Sequence, residues 1–140
     1  MGTETGVTAR VRDDGPHSLK AHIEVGGQSF LGDEPVSAGG TGLGPSPHDL
    51  LSAALAECTA LTLRLYADRK SWPLAAVEVE VRHELQPAAM PRDLFHRSVR
   101  LIGRLDEDQK ARLLEIADRC PVHRTLVTGS RIETIGLSQR

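Results

Sequence analysis

The feature that most constrains this chain is a long helical pattern that follows a glycine-rich segment. Apolar residues recur at spacings of three and four from residue 46 to about residue 69, which predicts one amphipathic helix. Ser46 suits the N-cap, Pro47 suits the first helical position, and Asp49 lies near the positive end of the helix dipole. The predicted apolar stripe consists of Leu50, Leu51, Ala54, Leu55, Cys58, Leu61, Thr62 and Leu65.

Strand patterns flank this helix on both sides. Alternating side chains and turn residues predict strands at 5–12, 18–25, 28–31, 77–84, 98–105 and 128–137, a second helix from the Asp106 cap to Cys120, and a helical turn at 122–127. The order is βββ-α-ββ-α-β. Since strands and helices do not alternate regularly, the fold class is predicted to be α+β and not a doubly wound parallel sheet.

The length of 140 residues predicts a single domain spanning residues 1–140. Within it, residues 1–45 form an N-terminal β-meander with the glycine-rich loop, and residues 46–140 form the helices and a second sheet. Only four residues are aromatic, so the chain lacks the exposed rings of a base-stacking surface. The net charge is -2 and no basic tract is present, so we expect no nucleic-acid partner.

The expected location is the cytoplasm, with no membrane partner. The N-terminus is polar, and no uninterrupted apolar run approaches the roughly 20 residues of a membrane span. A structural disulfide would not normally persist in that compartment. Cys58 and Cys120 are therefore either buried structural thiols or a redox pair.

The redox alternative depends on the placement of both cysteines in apolar stripes. If the stripes of the two predicted helices face each other, the two sulfurs can meet. A thiolate that attacks a peroxide becomes a sulfenic acid, and a second thiol can condense with it before further oxidation. Spacing alone leaves both alternatives open.

Two other motifs are weak signals. Cys120 and His123 have the Cys-x-x-His spacing of a metal half-site, to which Cys58 and His48 could add ligands, but the chain has no second close pair. Residues 39–44 are rich in glycine but lack the Gly-Lys-Ser/Thr ending of a phosphate-binding loop. We therefore expect no bound metal and interpret residues 39–44 as a flexible approach to a site.

Four segments of the chain resemble the OsmC/Ohr family. Residues 39–51, GGTGLGPSPHDLL, are similar to the family's glycine-rich loop and Ser/Asn-Pro-x-acid-Leu-Leu helix start. Residues 53–60, AALAECTA, place a cysteine eleven positions after Pro47, and the match continues through residues 65–74, LYADRKSWPL. Residues 117–126, ADRCPVHRTL, resemble the family's second cysteine followed by proline. The predicted element order agrees over essentially the whole chain.

The resemblance implies a thiol-dependent peroxidase that reduces organic hydroperoxides, with hydrogen peroxide as a second candidate substrate. It makes Cys58 the peroxidatic cysteine and Cys120 the resolving cysteine. It also implies an intertwined homodimer with long central helices packed on antiparallel sheets and active sites at the interface. The implied reductant is a dithiol such as a lipoyl protein, and no metal, flavin or haem takes part.

The resemblance further implies a cation that activates Cys58, because a thiolate at neutral pH needs positive charge nearby. In the family this cation is an arginine from the N-terminal strand region, with a glutamate beside it. Arg12, in the RDDG segment at residues 12–15, resembles that arginine. Arg10 is the alternative, since a shift of two residues along a strand keeps the same face. Either arginine could instead be a solvated strand residue.

The acidic partner departs from the family pattern. Ohr proteins have a glutamate directly after the proline, where this chain has His48. Asp49 occupies the place of the glutamate in another OsmC-like branch, and it either orients the arginine or serves only the helix start. His48, expected with Pro47 in the substrate pocket, either assists the thiolate or is simply exposed. This departure motivates the alternative of a non-enzymatic OsmC-like module that binds small molecules and has inert buried thiols.

Overall fold

The computed structural model describes residues 6–139 and confirms the α+β class. Its elements are β1 (Ala9–Asp13), β2 (Ala21–Val25), β3 (Gln28–Gly32), a short 3₁₀ turn (Val36–Ala38), α1 (Pro47–Lys70), β4 (Leu74–Leu85), β5 (Asp93–Gly103), α2 (Glu107–Ala117) and α3 (Pro121–Thr128). The chain divides into two compact units, of which the first ends at Leu51 and the second begins at Ser52.

The first unit contains a three-stranded antiparallel sheet in the order β1-β2-β3. Gly26 and Gly27 connect β2 to β3 with φ values of 60° and 76°, as a two-residue hairpin turn with two left-handed residues requires. Val25 pairs with Gln28 across this turn. The hairpin predicted from the Gly-Gly pair is confirmed.

A buried carboxylate organises the glycine-rich loop of the first unit. Asp33 accepts hydrogen bonds from the N–H groups of Glu34 at 2.8 Å, Thr41 at 3.2 Å and Leu43 at 3.2 Å, and from the Thr41 hydroxyl. The Thr41 hydroxyl is the largest cause that lowers the pKa of Asp33 to about 2, and the three N–H groups add to it against the opposing effect of burial. A β-carbon at Gly44 would overlap the carbonyl of Leu31. The loop is therefore a tied structure and not the flexible approach that its composition predicts.

The second unit contains the apolar core. The strands β4 and β5 form a long antiparallel hairpin in which Val81 pairs with Arg97. The Tyr66 and Trp72 rings pack edge to face, with 5.5 Å between the ring centroids. The buried core residues of this unit are Leu63, Ala67, Leu74, Leu105, Leu113, Ile116 and Ala117. The predicted cap of α2 is confirmed, because the Asp106 carboxylate accepts the Gln109 N–H at 2.8 Å.

The last predicted strand, at residues 128–137, is wrong for the described chain. Thr128 ends α3, and residues 129–139 have no regular secondary structure. Ile132, Ile135 and Leu137 are exposed. A strand is stable only when its backbone pairs with a neighbour, and no described segment pairs with this one. The observed order therefore ends in a helix, βββ-α-ββ-α-α.

The apolar stripe predicted for α1 is wrong in part. The fully buried positions are Leu55, Thr59, Leu63 and Ala67, each four residues after the last. Leu61 and Leu65, predicted to face inward, are 56% and 62% exposed. Apolar residues occupy more than one face of this helix, and periodicity alone does not say which face meets the core of the same chain.

α1 is long and apolar enough, by length and composition alone, to cross a membrane. The core helix of a globular domain satisfies the same two criteria. Glu57 and Arg64 lie within the helix, and Leu55 and Leu63, which belong to the second unit, are buried. The absence of a membrane partner stays a prediction.

Candidate functional site

The second unit brings the two cysteines together. Cys58 lies on α1 and is half-buried, whereas Cys120 lies between α2 and α3 and is fully buried. Both are free thiols, and their sulfurs share a hydrogen bond. The sequence predicted that the two sulfurs could meet, and in the structure they do. This pair is the centre of the candidate site.

The local sequence fixes the position of Cys120. α2 ends at Ala117, and Pro121 forces the residue before it into an extended conformation. Cys120 accordingly has φ −61° and ψ 133° and serves as the N-cap of α3, with Pro121 at the first helical position. Its sulfur accepts the N–H of His123 at 3.4 Å. A thiol thus occupies the place where Ser or Asp usually caps a helix.

The first turn of α3 faces both sulfurs. The N–H of Val122 hydrogen-bonds to the sulfur of Cys58, while the N–H of His123 hydrogen-bonds to that of Cys120. The Thr62 side chain, one turn further along α1, is a second partner of Cys58. The N–H groups at a helix N-terminus carry partial positive charge, so this arrangement is suited to hold a thiolate.

Burial nevertheless raises the pKa of the Cys58 thiol above its ordinary value. The hydrogen bond with Cys120 raises the pKa further, whereas the Val122 N–H and Thr62 lower it without reversing the shift. At neutral pH these groups keep Cys58 mainly as a thiol. A fast nucleophilic attack therefore needs additional positive charge.

An arginine that the sequence analysis missed contacts neighbours of both cysteines. Arg97, on β5, has a side chain that is only 13% exposed. Its Nη1 donates to Thr59 Oγ1 at 3.1 Å and to the carbonyl of Ala117 at 3.3 Å. Its Nη2 donates to the Asp118 carboxylate at 2.7 Å and to Nδ1 of His123 at 3.2 Å. One guanidinium thus contacts the residue next to Cys58 and the segments on both sides of Cys120.

A signal for Arg97 was present in the sequence. Side chains two residues apart on a strand share a face, and Arg97 is in phase with Val99 and Leu101, which pack against the core. A charged residue on the apolar face of a strand must find partners or lose stability. That mismatch marks a buried polar network, although it does not identify the partners.

The predicted residues of the helix start lie in the first unit. Pro47 begins α1, as predicted. The Ser46 hydroxyl accepts the Asp49 N–H at 3.1 Å, and the Asp49 carboxylate accepts the Ser46 N–H at 2.9 Å. This reciprocal cap explains why a carboxylate stands at Asp49. His48 is exposed on the first turn.

Arg12 and Arg10 both lie on β1 and are exposed. Arg12 is opposite His22, and Arg10 is opposite Glu24, in the register with β2. The two arginines share one face of the strand because they are two residues apart. The roles of Arg12, Asp49 and His48 toward Cys58 stay predictions.

The alternative metal site is not supported by the described residues. Within residues 6–139, the ligand atoms of Cys58, Cys120 and His123 do not converge as a metal-binding group. His123 instead presents its Nδ1 to Arg97. Since a guanidinium only donates, this nitrogen must be the unprotonated acceptor of the ring.

Comparisons with known proteins place this geometry in context. The model of the family described as OsmC-like protein matches residues 40–135. No curated protein matches the sequence. A crystal structure from Psychrobacter arcticus, of a protein named for osmotic stress induction and a detoxification response, is 23% identical and has a TM-score of 0.71. That match covers 88% of this chain and 90% of the other.

Two further solved structures have the same fold. An organic hydroperoxide resistance protein OsmC from Legionella pneumophila is 18% identical, with a TM-score of 0.69 over 90% of this chain and 91% of that one. An OsmC-like protein from Mycoplasma pneumoniae is 20% identical, with a TM-score of 0.71 over 91% of this chain and 89% of that one. At these identities the likeness establishes the fold alone.

Proposed function

The chain belongs to the OsmC-like protein family, and from that premise we propose that it is a thiol-dependent peroxidase that reduces organic hydroperoxides. The observation that carries the proposal is the hydrogen-bonded pair of free thiols, one half-buried and one fully buried, at the N-terminus of α3. A relative from Legionella pneumophila is named for organic hydroperoxide resistance. Hydrogen peroxide is a second candidate substrate.

The proposed reaction has three balanced steps. The Cys58 thiolate attacks the terminal oxygen of the hydroperoxide, so that an S–O bond forms, the O–O bond breaks and the alkoxide takes a proton to leave as an alcohol. The sulfur of Cys120 then attacks the Cys58 sulfenic acid, which yields a disulfide and one water. A dithiol of the lipoyl type reduces the disulfide by exchange and becomes a disulfide itself. No metal or organic cofactor is needed for this sequence.

The half-buried and fully buried positions fit these two roles. A peroxide must reach Cys58, and a half-buried sulfur is accessible to it. Cys120 has no exposed surface, so solvent peroxide cannot oxidise it first. Its position favours a resolving thiol that reacts only with a neighbouring sulfur.

We propose Arg12 as the source of the positive charge that Cys58 lacks, with Asp49 orienting it and His48 and Pro47 lining the substrate pocket. The raised pKa of Cys58 is the reason that such a charge is needed. Arg12→Met is expected to slow the attack on cumene hydroperoxide. Arg10→Met is the matched control, since Arg10 lies on the same face of β1. Equal rates in both variants and the unmodified protein would remove Arg12 from the mechanism.

We also propose a homodimer that acts in the cytoplasm. Leu61 and Leu65 on α1, and Ile132, Ile135 and Leu137 beyond α3, are apolar and exposed in the single chain. A second copy of the chain would cover such surface. Sedimentation equilibrium is expected to give twice the mass of the chain, and a monomer at micromolar concentration would refute the dimer.

The decisive test is a count of free thiols before and after one equivalent of cumene hydroperoxide. The expected result is a loss of both thiols and the appearance of one intrachain disulfide. Cys58→Ser should leave the peroxide unreduced. Cys120→Ser should consume the first equivalent to give sulfenic acid at Cys58, and a second equivalent should convert it to sulfinic acid.

The raised pKa of Cys58 also favours a second candidate function, a small-molecule-binding module with unreactive thiols. In that case both thiols would survive the peroxide. Full turnover by Cys58→Ser with a lipoyl reductant would reject Cys58 as the peroxidatic cysteine.

A further inference from the structure

Arg97 connects the two elements that carry the cysteines. It reaches α1 through the Thr59 hydroxyl, which itself donates to the carbonyl of Leu55 at 2.7 Å and is fully buried. It reaches the end of α2 through the Ala117 carbonyl, the turn that follows through Asp118, and the first turn of α3 through His123. Thr59 directly follows Cys58, and Cys120 lies between Asp118 and His123, so the same guanidinium bonds to residues that flank both cysteines in the sequence.

Position matters here because disulfide formation has narrow geometric limits. The two β-carbons of a disulfide are about 3.5–4.5 Å apart, and the S–S bond needs a dihedral near 90°. Cys120 lies on a turn of three residues between helices, and helix ends of this kind move more readily than helix interiors. Contacts that hold the turn against α1 therefore keep Cys120 near Cys58 and increase the rate at which the disulfide forms.

We propose that Arg97 is a positioning residue that sets how fast Cys120 resolves the oxidised Cys58. This inference rests on the proposed peroxidase function. In the step concerned, Cys58–SOH and Cys120–SH give Cys58–S–S–Cys120 and water, so the sulfenic sulfur is reduced as the thiol sulfur is oxidised. A second hydroperoxide competes for the same sulfenic acid, converts it to sulfinic acid and leaves as an alcohol. Arg97 favours disulfide formation over oxidation to sulfinic acid.

The residue type fits this task. A guanidinium offers five N–H donors in a rigid plane, whereas an ammonium is a compact charge with no fixed fork. Arg97 uses two nitrogens to reach four acceptors, which lie on α1, at the end of α2, in the turn after α2 and on α3. A lysine at this position could satisfy only part of the set, so it should restore only part of the effect.

The test compares Arg97→Met and Arg97→Lys with Arg100→Met as the matched control. Arg100 lies on the same strand, but it is 77% exposed and pairs with Glu78 at 3.1 Å. Stopped-flow fluorescence and quenched mass spectrometry would follow sulfenic acid, disulfide and sulfinic acid after cumene hydroperoxide is added. Circular dichroism would verify that each variant is folded.

For Arg97→Met we expect disulfide formation to slow by up to about 10²-fold, the cost of a misplacement of about 1 Å, while the attack on the peroxide changes far less. The sulfinic fraction at a fixed excess of peroxide should rise, with Arg97→Lys in between and Arg100→Met equal to the unmodified protein. A structural defect alone would lower both rates together.

Failure of the inference is distinguishable from failure of the proposed function. If the unmodified protein forms no disulfide with peroxide, the peroxidase assignment is rejected and Arg97 has no resolving step to govern. If the unmodified protein forms the disulfide and Arg97→Met resolves at the same rate, only the role of Arg97 is rejected. Should Arg97→Met fail to fold, Thr59→Val removes one anchor with little change in volume, and unchanged partition between disulfide and sulfinic acid would overturn the proposal.

Discussion

The two compact units of this chain are stabilised in different ways. The described part of the first unit buries only Gly32 and Asp33 fully, and its glycine-rich loop is held by hydrogen bonds to one carboxylate. The second unit buries a cluster of aliphatic side chains around Leu63 and Leu113 and contains both cysteines. The first unit therefore depends on a charge, which is sensitive to pH, and the second depends on apolar packing, which is not.

The largest expected effect in this comparison is the loss of a core side chain from the second unit. Leu113→Ala should lower the free energy of unfolding by roughly 2–5 kcal/mol, because it leaves a cavity among fully buried neighbours. Urea denaturation monitored by the single tryptophan, Trp72, measures it. Leu114→Ala is the matched control, since Leu114 is half exposed on the same helix, and an equal loss in both variants would contradict the assigned core.

A smaller effect is expected from acid on the first unit. The folded pKa of Asp33 is about 2, below its ordinary value of 3.8, so its contribution to stability is present above about pH 4 and is lost as the pH falls through about 2. The protection factors of the Thr41 and Leu43 amides, in which the intrinsic pH dependence of exchange is divided out, should therefore fall across that window, before the core of the second unit opens.

Asp33→Asn should produce the same loosening at neutral pH. The amide nitrogen cannot accept the three hydrogen bonds that Oδ2 receives from Thr41 and Leu43. Glu34→Gln removes one negative charge from the neighbouring position and serves as control. If Asp33→Asn protects Thr41 and Leu43 as well as the unmodified protein does, the carboxylate does not organise the loop.

The smallest expected effect concerns the pKa of Cys58 itself. Burial is the main cause of its rise and the hydrogen bond with Cys120 is the next, so Cys120→Ala should lower the pKa of Cys58. The pH dependence of thiolate absorbance near 240 nm, or of alkylation by iodoacetamide, measures the shift. An unchanged or higher pKa in Cys120→Ala would show that the two sulfurs are not hydrogen-bonded.

The sequence predicted correctly those features that depend on interactions between residues close together in the chain. The Gly26-Gly27 turn, the Ser46 and Asp106 caps and the α+β class all follow from residues within a few positions of one another. The cysteine pair needed one assumption, that two apolar stripes face each other. The two sulfurs do meet, although the buried face of α1 was predicted only in part. The family of the chain followed from motifs around the same two cysteines.

The wrong predictions have a common physical cause. In each case the structure of a segment depends on contacts with residues outside that segment. Residues 128–137 have the composition of a strand, but no described segment pairs with them. Leu61 and Leu65 have the right spacing, yet Leu55, Thr59 and Leu63 face the core. The glycine-rich loop was predicted to be flexible from its composition. The carboxylate that ties it, Asp33, lies eight and ten residues before its partners Thr41 and Leu43.

The sequence by itself determined the class of fold, the helix starts and the two cysteines as the reactive candidates, because capping, turn formation and periodicity act over a few residues. Only the tertiary structure decided that Cys120 caps α3 and that burial raises the pKa of Cys58. It also decided that Arg97 contacts Thr59, next to Cys58, and Asp118, two residues before Cys120. These properties depend on side chains that are up to 62 positions apart, as Cys58 and Cys120 are. Burial and hydrogen bonding between such distant groups exist only once the chain is packed.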